Sequence, residues 1–179
     1  MIHNHEVGGS IPPLATNSTA FMFRIGFGYD VHRFIEGRPL RMGGVTIPHS
    51  LGLDGHSDAD VLLHALCDAL LGALSLRDIG FHFPNTDPNF KGIDSTQLLA
   101  LCIEKIQEKG WKLGNADCTI VAEAPKINPF VPQMQEVISK ICGVGTDDIS
   151  IKATTNEKMG FVGREEGIGA FAVALLLKI

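Results

Sequence analysis

Ala170-Phe171-Ala172-Val173-Ala174-Leu175-Leu176-Leu177 contains no polar side chain. Successive residues of an extended chain point to opposite faces, so a strand here is apolar on both sides and belongs inside a sheet covered on both faces. Working outward from it, Val61, Leu62, Ala65, Leu66, Ala69, Leu70 and Ala73 recur at helical spacing behind a Ser57 or Asp58 cap. The same logic predicts a second helix over about Ser95–Lys109, capped by Asp94 or Ser95 and stopped by Gly110, and a third over about Pro129–Ile141, ending at Gly143. Strands are expected at Arg24–Phe34, where Ile25, Phe27, Tyr29 and Val31 alternate in an edge-to-core strand, and at Ala116–Glu123, Ile149–Thr155 and Ile168–Leu177. Met42-Gly43-Gly44-Val45 reads as the turn of a small hairpin, and Asp78 to Gly92 as a loop dense in turn formers. This order, without a repeat at fixed period, predicts an α/β (α+β) two-layer sandwich: a mixed four-stranded sheet with helices on one face. The helices cover only that face, so the doubly apolar last strand implies that the other face is buried against another subunit.

The chain has 179 residues, 45% hydrophobic and 20% charged, the size of one domain with a real core. Residues 1–22 carry no periodicity and read as a disordered extension; residues 23–179 form the domain. The extension lacks the apolar block of a secretory signal and the Arg-rich amphipathic character of a transit peptide. Its His3 and His5 could bind metal, although histidines in such tails usually do not. The net charge of -5 argues against nucleic-acid or anionic-membrane binding, which need surplus Lys and Arg, so a phosphorylated ligand must be held by local groups. No apolar run reaches the roughly 18 residues of a membrane span. Cys67, Cys102, Cys118 and Cys142 are far apart, each in an apolar segment, and read as reduced core thiols of a cytoplasmic protein.

Asp30 and His32 stand two apart at a strand end, on one side of it, and His64 lies on the polar side of the first helix with Asp60 one turn before it. Two imidazoles and a carboxylate are a catalytic zinc set with a position left open, and Asp60 is expected to brace the His64 ring. The plainer alternative is a satisfied core histidine beside a helix-start carboxylate. Thr154-Thr155-Asn156-Glu157-Lys158, leading into Met159 to Arg164, offers hydroxyls and backbone N–H groups to a phosphate and Glu157 to an oxygen-preferring cation; a polar turn is the alternative. Ala122 to Lys126 is a strand-to-loop exit.

Gly28 to His32, His56 to His64, Asp78-Ile79-Gly80, Phe83 to Pro88, Ala124-Pro125-Lys126 and Lys152 to Phe161 together resemble the 2-C-methyl-D-erythritol 2,4-cyclodiphosphate synthase family, over about Arg24 to Ile179. Asn85 and Asn156 depart from the commoner Asp and Thr. The resemblance implies a homotrimer with each active site between two subunits. It implies attack of the 2-phosphate of 4-diphosphocytidyl-2-C-methyl-D-erythritol 2-phosphate on its own β-phosphorus, releasing CMP and a cyclic diphosphate in the non-mevalonate pathway. Zn²⁺ would sit on Asp30, His32 and His64, and Glu157 would hold Mg²⁺ or Mn²⁺. The methylerythritol phosphate would meet Asp30, His32, His56, Ser57, Asp78, Ile79, Gly80, Phe83 and Asp87. Ala122, Ala124, Pro125, Lys126, Asn128, Thr154 and Thr155 would line a cytidine pocket, with His56 and Thr155 stabilising the transition state. Phe161 and Arg164 would stand at the mouth of an apolar channel along the trimer axis, open to an isoprenoid diphosphate; Arg164 otherwise reads as an ion-pair partner of Glu165 or Glu166. Rival readings are a metal-dependent nucleotide phosphohydrolase and a trimeric binding module.

Overall fold

The computed structural model describes residues 22–179. The extension read over residues 1–22, with His3 and His5, lies outside the described residues except for Met22.

Strand β1 (Phe23–Ile35) carries the two glycines on which the packing turns. A methyl group on Gly26 would stand 1.8 Å from the Ala69 carbonyl oxygen, and one on Gly28 would stand 1.9 Å from that of Ala65. No side chain fits in that gap, so the backbone of helix α1 (Val61–Ala73) lies directly on β1. Leu62, Leu63, Leu66, Leu70 and Leu71 of α1 are fully buried, each contributing on the order of 2 kcal/mol by leaving water. The cap of α1 is Asp60, not Ser57 or Asp58: its carboxylate accepts the Leu63 N–H at 3.1 Å. The same carboxylate accepts the N–H groups of Gly43 and Gly44 at 2.8 and 2.7 Å. Those glycines form the turn of the expected hairpin, β2 (Leu40–Met42) and β3 (Val45–Ile47), which is thereby tied to the start of the helix.

The sheet runs β4-β1-β7-β5-β6, with β4 (Gly52–Leu53), β5 (Trp111–Val121), β6 (Ile149–Thr154) and β7 (Gly167–Lys178). It has the four full strands expected, plus the two-residue β4 at one edge. It is mixed: β5 and β6 are parallel, and β7 is antiparallel to both β1 and β5. The carboxyl ends of β1, β5 and β6 therefore lie at one end of the sheet. Only the last two residues of β1, Phe34 and Ile35, are paired on the far side, by β4; along the rest of its length β1 is the edge of the sheet among the described residues. Strand β5 begins at Trp111 instead of Ala116; a register shift between Leu113 and Asn115 breaks the alternation that would have marked its first residues. Helices α3 (Ser95–Glu108) and α4 (Val131–Cys142) complete the layer over β5 and β6. The segment expected to be loop contains a one-turn helix, α2 (Ile79–His82), and a 3-10 turn, Pro88–Phe90, capped by Asp78 and Asp87. A further one-turn helix, α5 (Gly160–Gly163), is too short to leave a periodic signal.

The other face of the sheet carries no layer among the described residues. On β7, Ala170, Ala172, Ala174 and Leu176 are buried under the helices, while Phe171, Val173 and Leu177 point outward. The alternating Ile25, Phe27, Tyr29 and Val31 of β1 also face outward, with Phe27 63% exposed; the core side of this strand is the glycine side. Phe171 contacts the rings of Tyr29 and Phe27 at 4.8 and 6.2 Å between centroids, making a continuous apolar patch. All four cysteines are buried and free.

Gly28→Ala should cost about 3 kcal/mol, since the added methyl can be relieved only by lifting α1 from β1. Thermal unfolding should show a Tm lower by roughly 6–12 °C; an unchanged Tm would mean that the helix does not rest on the strand.

Candidate active site

Because α1 lies on β1, His64 on the first turn of the helix meets Asp30 and His32 at the end of the strand. Asp30 Oδ2 lies 2.9 Å from His64 Nδ1 and 3.0 Å from His32 Nε2, and the two ring nitrogens are 3.2 Å apart. His32 Nδ1 donates to the Asp54 carbonyl oxygen at 2.6 Å. A carbonyl only accepts, so the proton of neutral His32 is on Nδ1 and its Nε2 lone pair faces the cluster. A tetrahedral ion with bonds of about 2.0–2.1 Å holds its ligand atoms roughly 3.3 Å apart, close to the three separations observed. Two lone pairs and a carboxylate oxygen this close repel one another unless a cation lies between them, so the donor set fits a metal ion. Burial would raise the Asp30 pKa, but when the His32 and His64 rings are protonated, with no cation bound, their hydrogen bonds and positive charge hold it well below the usual carboxylate range.

Asp60 does not brace His64, contrary to the expectation from its i−4 spacing. Its carboxylate is spent on Gly43, Gly44 and Leu63, and burial raises its pKa. The far nitrogen of His64, Nε2, instead faces two hydroxyls, Ser57 Oγ at 3.0 Å and Ser95 Oγ at 2.9 Å.

The cluster fronts a cavity of about 220 Å3. His56, Ser57, Ile79, Gly80 and Phe83 line it as expected, joined by Asn85. Phe90, Ile93 and Leu98 line it too and were not anticipated: they come from the 3-10 turn, from the segment after it and from α3, and only the folded chain brings them to His64. Asp78 and Asp87 are not among the lining residues; they cap α2 and the 3-10 turn by accepting the Phe81 and Asn89 N–H groups. Asp68 accepts the Ile79 N–H at 2.8 Å and anchors α2 to α1.

A second cavity, about 470 Å3, is lined by Ala122, Glu123, Pro125, Lys126, Ile127, Asn128, Pro129, Ala153, Thr154 and Thr155. It gathers the residues expected around a cytidine, except Ala124, and shares none with the first. Asp30 and Ala153 lie in one cross-strand row through Ala170 and Ile120, three strand spacings or roughly 14 Å apart. Both cavities thus lie at the carboxyl ends of strands, where open α/β sheets place ligands. Beside the second cavity, Glu123 Oε1 accepts the N–H groups of Asn156 and Lys158, each at 3.0 Å. In this turn Glu157 and Lys158 adopt φ of 51° and 60°, conformations costly for residues with a Cβ. Glu157 accepts the Thr155 hydroxyl at 3.2 Å and is not drawn to the Asp30 cluster. Arg164 pairs with Glu166 at 2.7 Å on the exposed surface, and Phe161 is 39% exposed.

A mixed sheet with a ligand-atom cluster in the wall of a cavity at its strand ends defines an α/β enzyme. The YgbB family model matches residues 23–177, and the chain belongs to that family. The 2-C-methyl-D-erythritol 2,4-cyclodiphosphate synthase of Porphyromonas gingivalis is 64% identical over 155 residues, covering 87% of this chain and 96% of the relative. The synthase of the same name from Synechococcus elongatus is 60% identical over 156 residues, covering 87% and 98%. A solved structure of a 2C-methyl-D-erythritol-2,4-cyclodiphosphate synthase with bound CDP superposes with a TM-score of 0.79 at 37% identity, covering 86% of this chain and 99% of that one.

Burial pushes the His32 imidazole down, but its hydrogen bond to Asp30 and the attraction of that carboxylate outweigh it, and its pKa is raised above 6.5. In metal-stripped protein the pair therefore stabilises the fold fully below the unfolded value, and that contribution is lost as pH rises through the raised one. A bound cation takes the proton's place and needs both rings neutral. The Tm difference between metal-loaded and chelator-treated protein should widen as pH rises through the raised His32 value; a constant difference would contradict the assignment.

Proposed function

We propose that the chain converts 4-diphosphocytidyl-2-C-methyl-D-erythritol 2-phosphate to 2-C-methyl-D-erythritol 2,4-cyclodiphosphate and CMP, in the non-mevalonate route to isoprenoid precursors. The observation that carries this reading is the convergence of Asp30, His32 and His64 in the wall of a cavity lined by Ser57 and Gly80. Asp30, His32 and His64 would hold Zn²⁺, and Glu157 would hold Mg²⁺ or Mn²⁺. Bound there, the two cations supply charge neutralisation: polarisation of a phosphate oxygen and offset of the negative charge on the leaving diphosphate. The chain's own part is to position the reacting groups. Nucleophile and electrophile belong to one molecule, so holding it folded removes most of the entropic barrier, and the attacking phosphate oxygen, already ionised at neutral pH, needs no general base.

The methylerythritol phosphate end would occupy the first cavity, with His56 and the Ser57 hydroxyl as donors, and the cytidine end the second, against Lys126, Thr154 and Thr155. The left-handed backbone at Glu157 and Lys158, pinned by Glu123, supports a functional reading of that segment over a plain turn. The two cavities share no residue, and β1 and β7 leave an apolar face bare. Both facts support a homotrimer in which that face is covered and the first cavity of one subunit works with the second cavity of its neighbour. Phe161 and Arg164 would flank a channel at the trimer axis that admits an isoprenoid diphosphate once Arg164 leaves Glu166. No helix among the described residues is long and apolar enough to cross a membrane, and the four free thiols suit the cytoplasm as its compartment.

Phosphorus NMR of purified protein with the substrate should show the coupled pair of a cyclic diphosphate together with CMP. An open-chain phosphate product would instead identify a metal-dependent nucleotide phosphohydrolase, and unchanged substrate a binding protein. Mixing inactive His32→Ala and Lys126→Ala chains, with subunit exchange verified, should restore part of the activity through hybrid sites; no recovery would confine each site to one subunit.

A further inference from the structure

The His64 imidazole is buried, and its two nitrogens face different company. Nδ1 faces Asp30 and His32; Nε2 faces the hydroxyls of Ser95 and Ser57. An imidazole can turn a lone pair toward a cation from Nδ1 only if its proton is on Nε2. The hydrogen-bond partners on the far side decide where that proton is.

Ser95 is fully buried at the first turn of α3. Its hydroxyl lies 2.5 Å from Asp58 Oδ1, and its N–H points to Asp58 Oδ2 at 3.1 Å. A carboxylate accepts and does not donate, so the single hydrogen of the Ser95 hydroxyl goes to Asp58. The Ser95 oxygen is then left to accept, and the only donor His64 can offer it is Nε2–H. Arg41, with Nε 3.7 Å from Asp58 Oδ2, sets a positive charge beside the carboxylate and steadies its orientation. Ser57 is less decisive. Its oxygen accepts the Ala59 N–H at 3.1 Å, and its own hydrogen can turn toward Nε2 or toward the cavity.

We propose that Asp58 and Ser95 are positioning residues that keep the His64 proton on Nε2 and thereby aim the Nδ1 lone pair at Asp30 and His32. The proposal rests on the reading of those three residues as a cation site. His32 is set the same way by the backbone carbonyl of Asp54, so the two imidazoles are oriented by unlike devices, one a main-chain acceptor and one a carboxylate acting through a serine. Remove the Ser95 oxygen, and Ser57 can donate to Nε2 and let the proton move to Nδ1, where it blocks the cation. Replace Asp58 by Asn, and the amide can donate to Ser95, which turns the Ser95 hydrogen toward Nε2 with the same result.

The test uses purified full chain in four forms: wild type, Asp30→Ala, Ser95→Ala and Asp58→Asn. Zinc affinity is read by competition with a chromophoric chelator, and the fold by circular dichroism. The His64 tautomer is read by long-range proton–nitrogen correlation on chelator-treated protein at alkaline pH. We expect Asp30→Ala to lose the zinc site, and Ser95→Ala and Asp58→Asn to bind zinc roughly 10–100-fold more weakly with the fold intact. Wild-type His64 should carry its proton on Nε2, and in Ser95→Ala the population should shift toward Nδ1–H. Loss of zinc in Asp30→Ala with wild-type affinity in Ser95→Ala overturns the positioning role and leaves the cation site standing. Wild-type affinity in Asp30→Ala overturns the cation site itself, and the positioning role with it. If Ser95→Ala does not fold, the wild-type tautomer decides alone, and Nδ1–H there overturns the proposal.

Discussion

The architecture depends on one close approach, the backbone of α1 resting on β1 over Gly26 and Gly28. Two positions further along the strand face, after those glycines, come Asp30 and then His32, and on the helix His64 lies one residue before Ala65, the carbonyl that overhangs Gly28. The contact that packs the core therefore also sets the spacing of the three ligand atoms. Had any larger residue stood at position 28, the helix would ride higher and His64 would draw away from the strand end. The alanines at 170, 172 and 174 serve the same purpose on β7, which also lies under α1.

Around that contact the polar groups are arranged so that each has a partner. Among the described residues no buried side-chain nitrogen or oxygen is left without one. Asp60, fully buried, is satisfied by three backbone N–H groups, and it holds the hairpin to the helix instead of acting on the site. With the His32 proton on Nδ1 and, as proposed, the His64 proton on Nε2, the lone pairs of both rings turn toward Asp30 and make a local trap for a cation. The net charge of -5 means that a phosphorylated substrate gains nothing from long-range attraction, so its binding must come from neutralisation at the site.

Much of this was legible in the sequence, and the reasons for the rest are specific. The helices, the mixed sheet and the pairing of Asp30 and His32 with His64 follow from periodicity and from the two-residue spacing on a strand. The direction of β1 did not follow: Ile25, Phe27, Tyr29 and Val31 look like a core face, but the helix needs the glycine side, and the apolar side is left for another surface. The i−4 spacing of Asp60 and His64 suggested a brace, yet a residue at the helix cap spends its carboxylate on free N–H groups. Ser95 and Asp58 looked like helix caps and no more, because Ser95 reaches His64 across 31 residues and Asp58 reaches Ser95 across 37, contacts that depend on how α3 docks against α1. Short-range pattern reaches caps and faces; it does not reach contacts made by docking.

The account stands or falls on a metal ion held by Asp30, His32 and His64. X-ray absorption at the zinc K edge of the purified, zinc-loaded chain reads the coordination shell directly. The account predicts a shell of nitrogen and oxygen atoms at about 2.0–2.1 Å with the outer-shell signature of two imidazoles, lost in His64→Ala. A sulfur shell at about 2.3 Å, or the same spectrum in His64→Ala, would contradict it.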